Sequence, residues 1–424
     1  MIDLRMVYPS RYNETRGEEL LYSPLALAYV ARHTPDHYRI TLDDEYVGEK
    51  VDAARLKADL VAFSPITPGI SRAYELADEL RSRGITCVSG GAHVTALPHE
   101  ALEHFDAVIA GEGEGPWREL LEDFEAGRLR ETYFGRMDVP LDDLGTPRRD
   151  LIHGNYEYPS VMTSRGCPYH CSFCYLTVFK HRKYRAIPHD TVLADFESVR
   201  DYPVVVVTDE NFMGYGQDAV EDRKILELLD LMYRSGCRAV FLGFEATDED
   251  ALKEVNQRQN LGVNYKKAVR TLHDHNIGVI ASFILGMDAH DKGYPDRLIR
   301  DLQAADADFP RIFLMTAWPG TPLFDRLEKE GRASRDWDRV RKDMPSIQFK
   351  HFTHDEIVRA RQEILDAFFN VFSISRKVAR WMVKDRSILL LFVRMSFRNR
   401  VSERIKQLRR RRLRPVAGRS EPLR

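Results

Sequence analysis

Cysteine is scarce in this chain, with five in 424 residues, so a disulfide framework is excluded as the basis of the fold. No apolar run approaches the length needed to cross a bilayer. The opening residues Met1–Val7 pass directly into an apolar strand pattern with no secretory core, so a cytoplasmic protein is expected. Charge of one sign is not in large excess either, the net charge being only −2. Hydrophobic residues, at 43%, suffice for real cores, and the length suits two or three domains.

The near-neutral balance conceals an uneven distribution. From Arg376 to Arg424, 17 Lys and Arg stand against Asp385, Glu403 and Glu421, a balance of +14, which leaves −16 for the rest. The same region holds the apolar stretch Ser387–Val393 and four consecutive arginines, Arg409–Arg412. Basic residues flanking apolar ones suggest a helix lying peripherally on an anionic membrane surface, at its inner face. Nucleic-acid binding is the weaker rival because no nucleic-acid fold motif accompanies the charge, and a merely solvated tail is the third reading.

Residues 1–126 alternate apolar strands (Leu4–Val7, Leu60–Phe63, Thr86–Ser89, Ala107–Ala110) with amphipathic stretches (Leu25–Arg32, Ser71–Arg83, Trp117–Phe124). This is the α/β pattern of a doubly wound, Rossmann-like parallel sheet. Such sheets bind ligands beyond the carboxyl ends of their strands. The residues there are polar and glycine-rich: Ser64-Pro65-Ile66-Thr67, then Gly90-Gly91-Ala92-His93-Val94-Thr95, then Gly111-Glu112-Gly113-Glu114-Gly115. A dinucleotide fingerprint is disfavoured in the last, since two glutamates would repel a pyrophosphate.

Residues 127–157 read as a linker with Pro140, Gly145 and Pro147. Residues 158–345 place strands at Ser160–Ser164, Val204–Thr208, Ala239–Gly243, Val279–Leu285 and Ile312–Met315, separated by helical sequence, one of them near Glu221–Ser235. A partial parallel βα, TIM-like barrel is expected, with its chemistry at the carboxyl ends of the strands. Residues 346–424 read as a helical, basic C-terminal region.

Three of the five cysteines, Cys167, Cys171 and Cys174, fall on one loop with CxxxCxxC spacing, which is expected to turn three thiolates toward one centre. A 4Fe-4S cube held by three cysteines keeps one iron open for a substrate, whereas four would fill it. The alternative is structural zinc with a fourth ligand such as His170, although no second CxxC knuckle exists. Cys87 and Cys237 edge apolar segments and read as core residues.

The loop Ser164-Arg165-Gly166-Cys167-Pro168-Tyr169-His170-Cys171-Ser172-Phe173-Cys174 resembles that of the radical S-adenosylmethionine (SAM) enzymes, including Arg-Gly-Cys-Pro before the first ligand and Phe173 before the third. The strand-end loops of residues 1–126, with Pro98, Glu100 and Asp106, are similar to the cobalamin-binding domain that precedes the barrel in one class of that family. The resemblance implies a 4Fe-4S cluster on Cys167, Cys171 and Cys174, SAM and cobalamin as cofactors, and a flavodoxin- or ferredoxin-like electron donor. It also implies a 5′-deoxyadenosyl radical that attacks an unactivated carbon, most commonly for C-methylation. Ring closure, rearrangement or oxidation are the alternatives within the class, and a non-catalytic iron–sulfur sensor or nucleic-acid-binding protein is the alternative outside it.

By the same resemblance, Phe173, Asp209, Gly243 and Glu245 face SAM or substrate. Ser64, Thr67, Gly90, Gly91, His93, Thr95, Gly111, Glu112 and Glu114 surround the corrin. The Asp-x-His-x-x-Gly string by which many cobalamin domains bind cobalt is absent after the first strand, as is usual in the radical family. It occurs once at Asp288–Gly293, where it is read as coincidence, so no histidine is expected on cobalt. Between Phe212 and Ala239 the barrel is one βα unit shorter than the family's. The residue for the methionine carboxylate is therefore unassigned, with Arg165, Lys180 and Arg185 as candidates by charge. Trp318-Pro319-Gly320-Thr321-Pro322-Leu323 resembles the terminal barrel turn. The apolar, basic tail favours a hydrophobic, lipid-like small molecule as substrate.

Overall fold

The computed structural model describes residues 1–10, 23–154, 156–179, 183–213, 223–340, 346–390 and 393. Its first six strands are β1 (Ile2–Tyr8), β2 (Tyr38–Asp44), β3 (Leu60–Phe63), β4 (Thr86–Ser89), β5 (Ala107–Ala110) and β6 (Thr132–Phe134). They form one parallel sheet in the order β2-β1-β3-β4-β5-β6. The reversal of order between β1 and β3 is the switch point of a doubly wound fold.

Helices α1 (Ala26–Arg32), α2 (Ile70–Ser82), α3 (Ala92–Ala96), α4 (Pro98–Leu102) and α5 (Glu114–Glu125) cover the sheet. Leu4, Met6, Leu60 and Ala62 point to one side, against Leu27, Trp117 and Leu120. Val7, Val61 and Phe63 point to the other, against Ile70, Ala73 and Leu80. Burial on both faces is why these strands read as continuous apolar runs. β2 and β6 escape that signal because they are the sheet's edges. β6 also lies inside the segment read as a linker, so the sheet extends past residue 126.

The second half contains β7 (Ser160–Val161), β8 (Ser164–Arg165), β9 (Arg185–Ala186), α6 (His189–Ser198), β10 (Val206–Val207), α7 (Arg223–Arg234), β11 (Ala239–Glu245), α8 (Glu249–Glu254), α9 (Tyr265–Asp274), β12 (Gly278–Leu285), α10 (Tyr294–Ala305) and β13 (Phe309–Leu314). β7 and β10 pair in parallel, β11-β12-β13 form a second parallel group, and β8–β9 is an antiparallel hairpin. Among the described residues no pairing joins β10 to β11, the interval in which the sequence led to the expectation of one βα unit fewer. Along β11–β13, Leu242, Ile312 and Leu314 face the outer helices. The register then puts Phe241, Gly243, Ser282, Arg311 and Phe313 on the inner face.

The chain closes with α11 (Pro322–Lys329), α12 (His354–Phe368) and α13 (Val371–Lys384). A reciprocal cap between Thr353 and Glu356 starts α12, and Asn370 caps α13. The buried Asp308 carboxylate accepts from Val279 N and Trp381 Nε1 and pairs with His273 Nε2. Arg376 and Arg380 pair with Asp306, and Lys384 Nζ donates to His273 O. Asp306 and Asp308 precede β13, so α13 clamps the amino ends of the strands, away from the expected chemistry. The four basic residues of α13, Arg376, Lys377, Arg380 and Lys384, which the basic and apolar pattern places on a membrane surface, are bound to the barrel instead. Arg409–Arg412 lie outside the described residues.

Candidate functional site

The β8–β9 hairpin carries the three-cysteine loop. Gly166, just before Cys167, has φ +87°, and a Cβ there would meet Lys183 O at 2.0 Å, so the hairpin can close only with glycine. Gly166 N donates to Glu210 Oε2 at 2.8 Å. Farther along, Ser172 N donates to Val255 O, Asn256 Nδ2 to His170 O and Leu323 N to Ser172 O. The segments after β10, β11 and β13 thus all grip this loop, which places it at the carboxyl end of the barrel. Phe173 anchors it against the barrel core.

Two of the three thiols have hydrogen-bond neighbours among the side chains around the loop. Cys171 Sγ donates to Gln257 Oε1 at 2.6 Å and accepts from Gln259 Nε2, while Cys167 Sγ lies 3.6 Å from Asn211 Nδ2. Among the described residues no three ligating side chains share a single metal-ion position. Three cysteine thiolates on one loop are a donor set that fits an iron–sulfur cluster, in which each binds one iron. Cys87 is fully buried in the core of the first sheet, where burial pushes its thiol up to about 12, and Cys237, between α7 and β11, packs against apolar residues of the second half. Both follow the reading of core residues.

Asp209 is bound by its own chain. Its carboxylate accepts from Thr163 N, Thr163 Oγ1 and Ser164 Oγ, pinning the end of β10 to the start of the hairpin. Gly243 is exposed, and Glu245 lies beyond a bulge in β11 with φ +66°. Burial pushes the Glu245 carboxyl up to about 8, with only Ser282 opposing the shift. One inward residue was overlooked in the sequence: Arg311, opposite Ser282 in register, is the lone charge in the strand Phe-Pro-Arg-Ile-Phe-Leu. A single cation at an inward-facing strand position was the available signal.

In the first domain, the loops after β3, β4 and β5 converge as expected, but their side chains divide. Ser64, Gly90 and Gly91 line the rim; Gly91 has φ +101°, and a Cβ there would lie 3.4 Å from Ser64 Oγ. His93 turns inward, with Nδ1 3.1 Å from Thr67 Oγ1 and Nε2 3.3 Å from Glu100 Oε1, which also accepts from Trp337 Nε1. Thr95 Oγ1 donates to Gly91 O and accepts from Gly111 N. Gly111 is required by a neighbouring backbone: its Cβ would meet Gly135 O at 2.3 Å. His290, in the Asp-x-His-x-x-Gly string, is buried on the barrel and accepts from Gly286 N and Met287 N through Nδ1, consistent with coincidence.

Glu112 and Glu114 bind arginines. Glu112 takes Arg185 at 2.5 Å, and Glu114 takes Arg165 at 2.7 Å. These contacts occupy two of the cations considered for the methionine carboxylate; Lys180 lies outside the described residues. Burial alone would push the Glu114 carboxyl up, but the Arg165 guanidinium overcomes it and holds the group below the usual carboxylate range. Beside these pairs, the Trp318–Leu323 turn wedges between the domains. A Cβ on Gly320 would lie 3.0 Å from Ala96 Cβ in α3 and 3.3 Å from Val178 Cγ2, just beyond the cysteine loop. The turn thus joins α3 on the rim of the first sheet to the chain just beyond the cysteine loop.

Residues 19–121 match the B12 binding domain family. The chain is 24% identical to the bacteriochlorophyllide d C-8(2)-methyltransferase of Chlorobaculum tepidum, over 91% of this chain and 93% of that protein. It is 24% identical to the hopanoid C-2 methylase of Rhodopseudomonas palustris, over 79% and 69% respectively. Among solved structures, the radical S-adenosylmethionine methyltransferase TsrM from Kitasatospora setae, with cobalamin and a 4Fe-4S cluster bound, matches with a TM-score of 0.57. The identity is 17%, over 77% of this chain and 78% of that one.

Proposed function

We propose that this chain, a member of the cobalamin-binding radical SAM enzymes, transfers a methyl group to an unactivated carbon of an apolar, lipid-like small molecule. The observation that carries the reading is the link between the two candidate cofactor sites, with the Gly320 turn touching both α3 and the chain just beyond the cysteine loop. Cys167, Cys171 and Cys174 would hold the cluster, Gly243 and Glu245 would face SAM, and Ser64, Gly90 and Gly91 would form the corrin rim. When bound, these groups supply electron transfer to the sulfonium and a cobalt carrier for the methyl group. The His93 imidazole is held by Thr67 and Glu100 and would support the rim from within.

The protein's part is positioning and exclusion of water. At neutral pH the Glu245 carboxyl stays protonated and can donate a hydrogen bond to a ligand oxygen. Phe241 and Phe313 give the inner barrel face an apolar wall beside Arg311. Val204, Val207 and Phe241 remain exposed on both sides of the break between β10 and β11, which suits entry of a hydrophobic molecule. Phe372, Val383 and Leu390 are exposed on and just after α13, next to the basic terminal sequence, which supports peripheral contact with an anionic membrane. A flavodoxin- or ferredoxin-like protein is the proposed electron donor.

Comparative mass spectrometry of lipid extracts from producing and deletion strains tests the substrate class. The expected result is a lipid that loses one methyl group on deletion. An unchanged lipid profile alongside a changed water-soluble metabolite would overturn the lipid reading.

A further inference from the structure

We propose that Glu112, Glu114, Arg165 and Arg185 form an inter-domain latch, in which Arg165 is a positioning residue that fixes the first cluster cysteine against the cobalamin-side rim. The role assigned to the two rims rests on the function proposed above; the latch itself rests on geometry.

Arg165 and Arg185 stand directly opposite each other in the β8–β9 hairpin. Like charges facing across an antiparallel pair oppose strand pairing. Here each cation meets a glutamate from the loop after β5: Glu114 at 2.7 Å from Arg165 and Glu112 at 2.5 Å from Arg185, with a longer contact of 3.7 Å between Arg165 and Glu112. All four side chains are 9–14% exposed, so the charges are largely desolvated. Removing one member leaves a buried charge without compensation, which makes the latch cooperative.

Both sides are stiff. Glu112 O lies where a Cβ on Gly135 would come within 1.8 Å, so the glutamate loop is packed backbone against backbone onto the end of β6. On the other side, Arg165 lies over the Tyr29 ring at 5.1 Å, and Arg185 also donates to Val139 O. Gly166 and Cys167 follow Arg165 without a break. Closure of the cysteine hairpin is therefore coupled to the first domain through two ion pairs.

The test compares Glu114→Gln, Glu112→Gln and the charge-retaining Glu114→Asp. Hydrogen exchange of the full chain reads the latch whether or not cofactors are present. In each glutamine variant, protection should fall at least about tenfold in residues 111–115 and 164–186 together, while β1 and β12 keep wild-type exchange. Glu114→Asp should retain most of it. In protein holding cob(II)alamin and the reduced cluster, paramagnetic resonance should show one defined cobalt–cluster coupling in the wild type and a shifted or broadened coupling in the glutamine variants. Unchanged exchange, loosening of only one segment, or loss of protection throughout the fold would overturn the latch. Absence of both paramagnetic centres from wild-type protein would instead overturn the cofactor reading, with the exchange result still deciding the latch.

Discussion

Glu245 combines a left-handed backbone position with a buried carboxyl, so its protonation is coupled to folding. Its folded value, raised from 4.5 to about 8, means the folded state keeps a proton that the unfolded chain releases. Stability should therefore fall as pH rises from 4.5 to 8 and level off above that. Glu245→Gln removes this dependence, so its melting temperature should gain on wild type across that window and hold the gain above pH 8. A constant difference would show that the carboxyl is solvated.

The cysteines give a second test at this scale. Ala at Cys167, Cys171 or Cys174 should abolish cluster iron, whereas Cys237→Ala keeps it and Cys87→Ala keeps it at a stability cost of about 1 kcal/mol. Full iron content in any of the first three variants would contradict the ligand assignment. The cysteine loop was legible because its ligands are neighbours in sequence. The roles of Asp209, Glu112 and Glu114 were not, because their partners lie 46, 73 and 51 residues away and only the fold brings them together.

Among the elements, α13 shows most clearly what charge patterning leaves undecided. A run of basic residues reads as solvent- or membrane-facing, yet Lys377 is buried over the Phe368 ring, and burial pushes its amine down to about 7. Because the unfolded value is 10.5, the penalty for charging Lys377 is fully present below pH 7 and is relieved as pH rises toward 10.5. Lys377→Met should therefore stabilise the protein most below pH 7, with the gain in melting temperature shrinking through that range. A gain independent of pH would place the amine in water. The central strands β1, β3, β4 and β5 were legible from burial on both faces, whereas the edge strands β2 and β6 carry no such signature.

At the scale of the whole molecule, the first sheet's carboxyl edge and the barrel's carboxyl end face one another across the latch and the Gly320 turn. That arrangement follows from contacts between distant segments, and motif reading supplied the two halves without their junction. The terminal basic segment is a separate matter. A chain ended at Val393 keeps α13 and the buried Ile388 while removing Arg409–Arg412. Each basic residue near an anionic surface contributes about 1 kcal/mol, so full-length protein should co-sediment with anionic vesicles in a salt-sensitive way and the shortened chain should not. Equal binding by both would remove the membrane reading.

The central claim is methyl transfer that needs cluster and cobalamin together. Anaerobically reconstituted protein, supplied with SAM bearing a trideuterated methyl group, a reductant and lipid extract from a deletion strain, tests it by high-resolution mass spectrometry. A lipid carrying one trideuterated methyl group should form with wild-type protein and be missing with Cys171→Ala or without cobalamin. SAM cleavage with no labelled product, or labelled product from the Cys171 variant, would contradict the account.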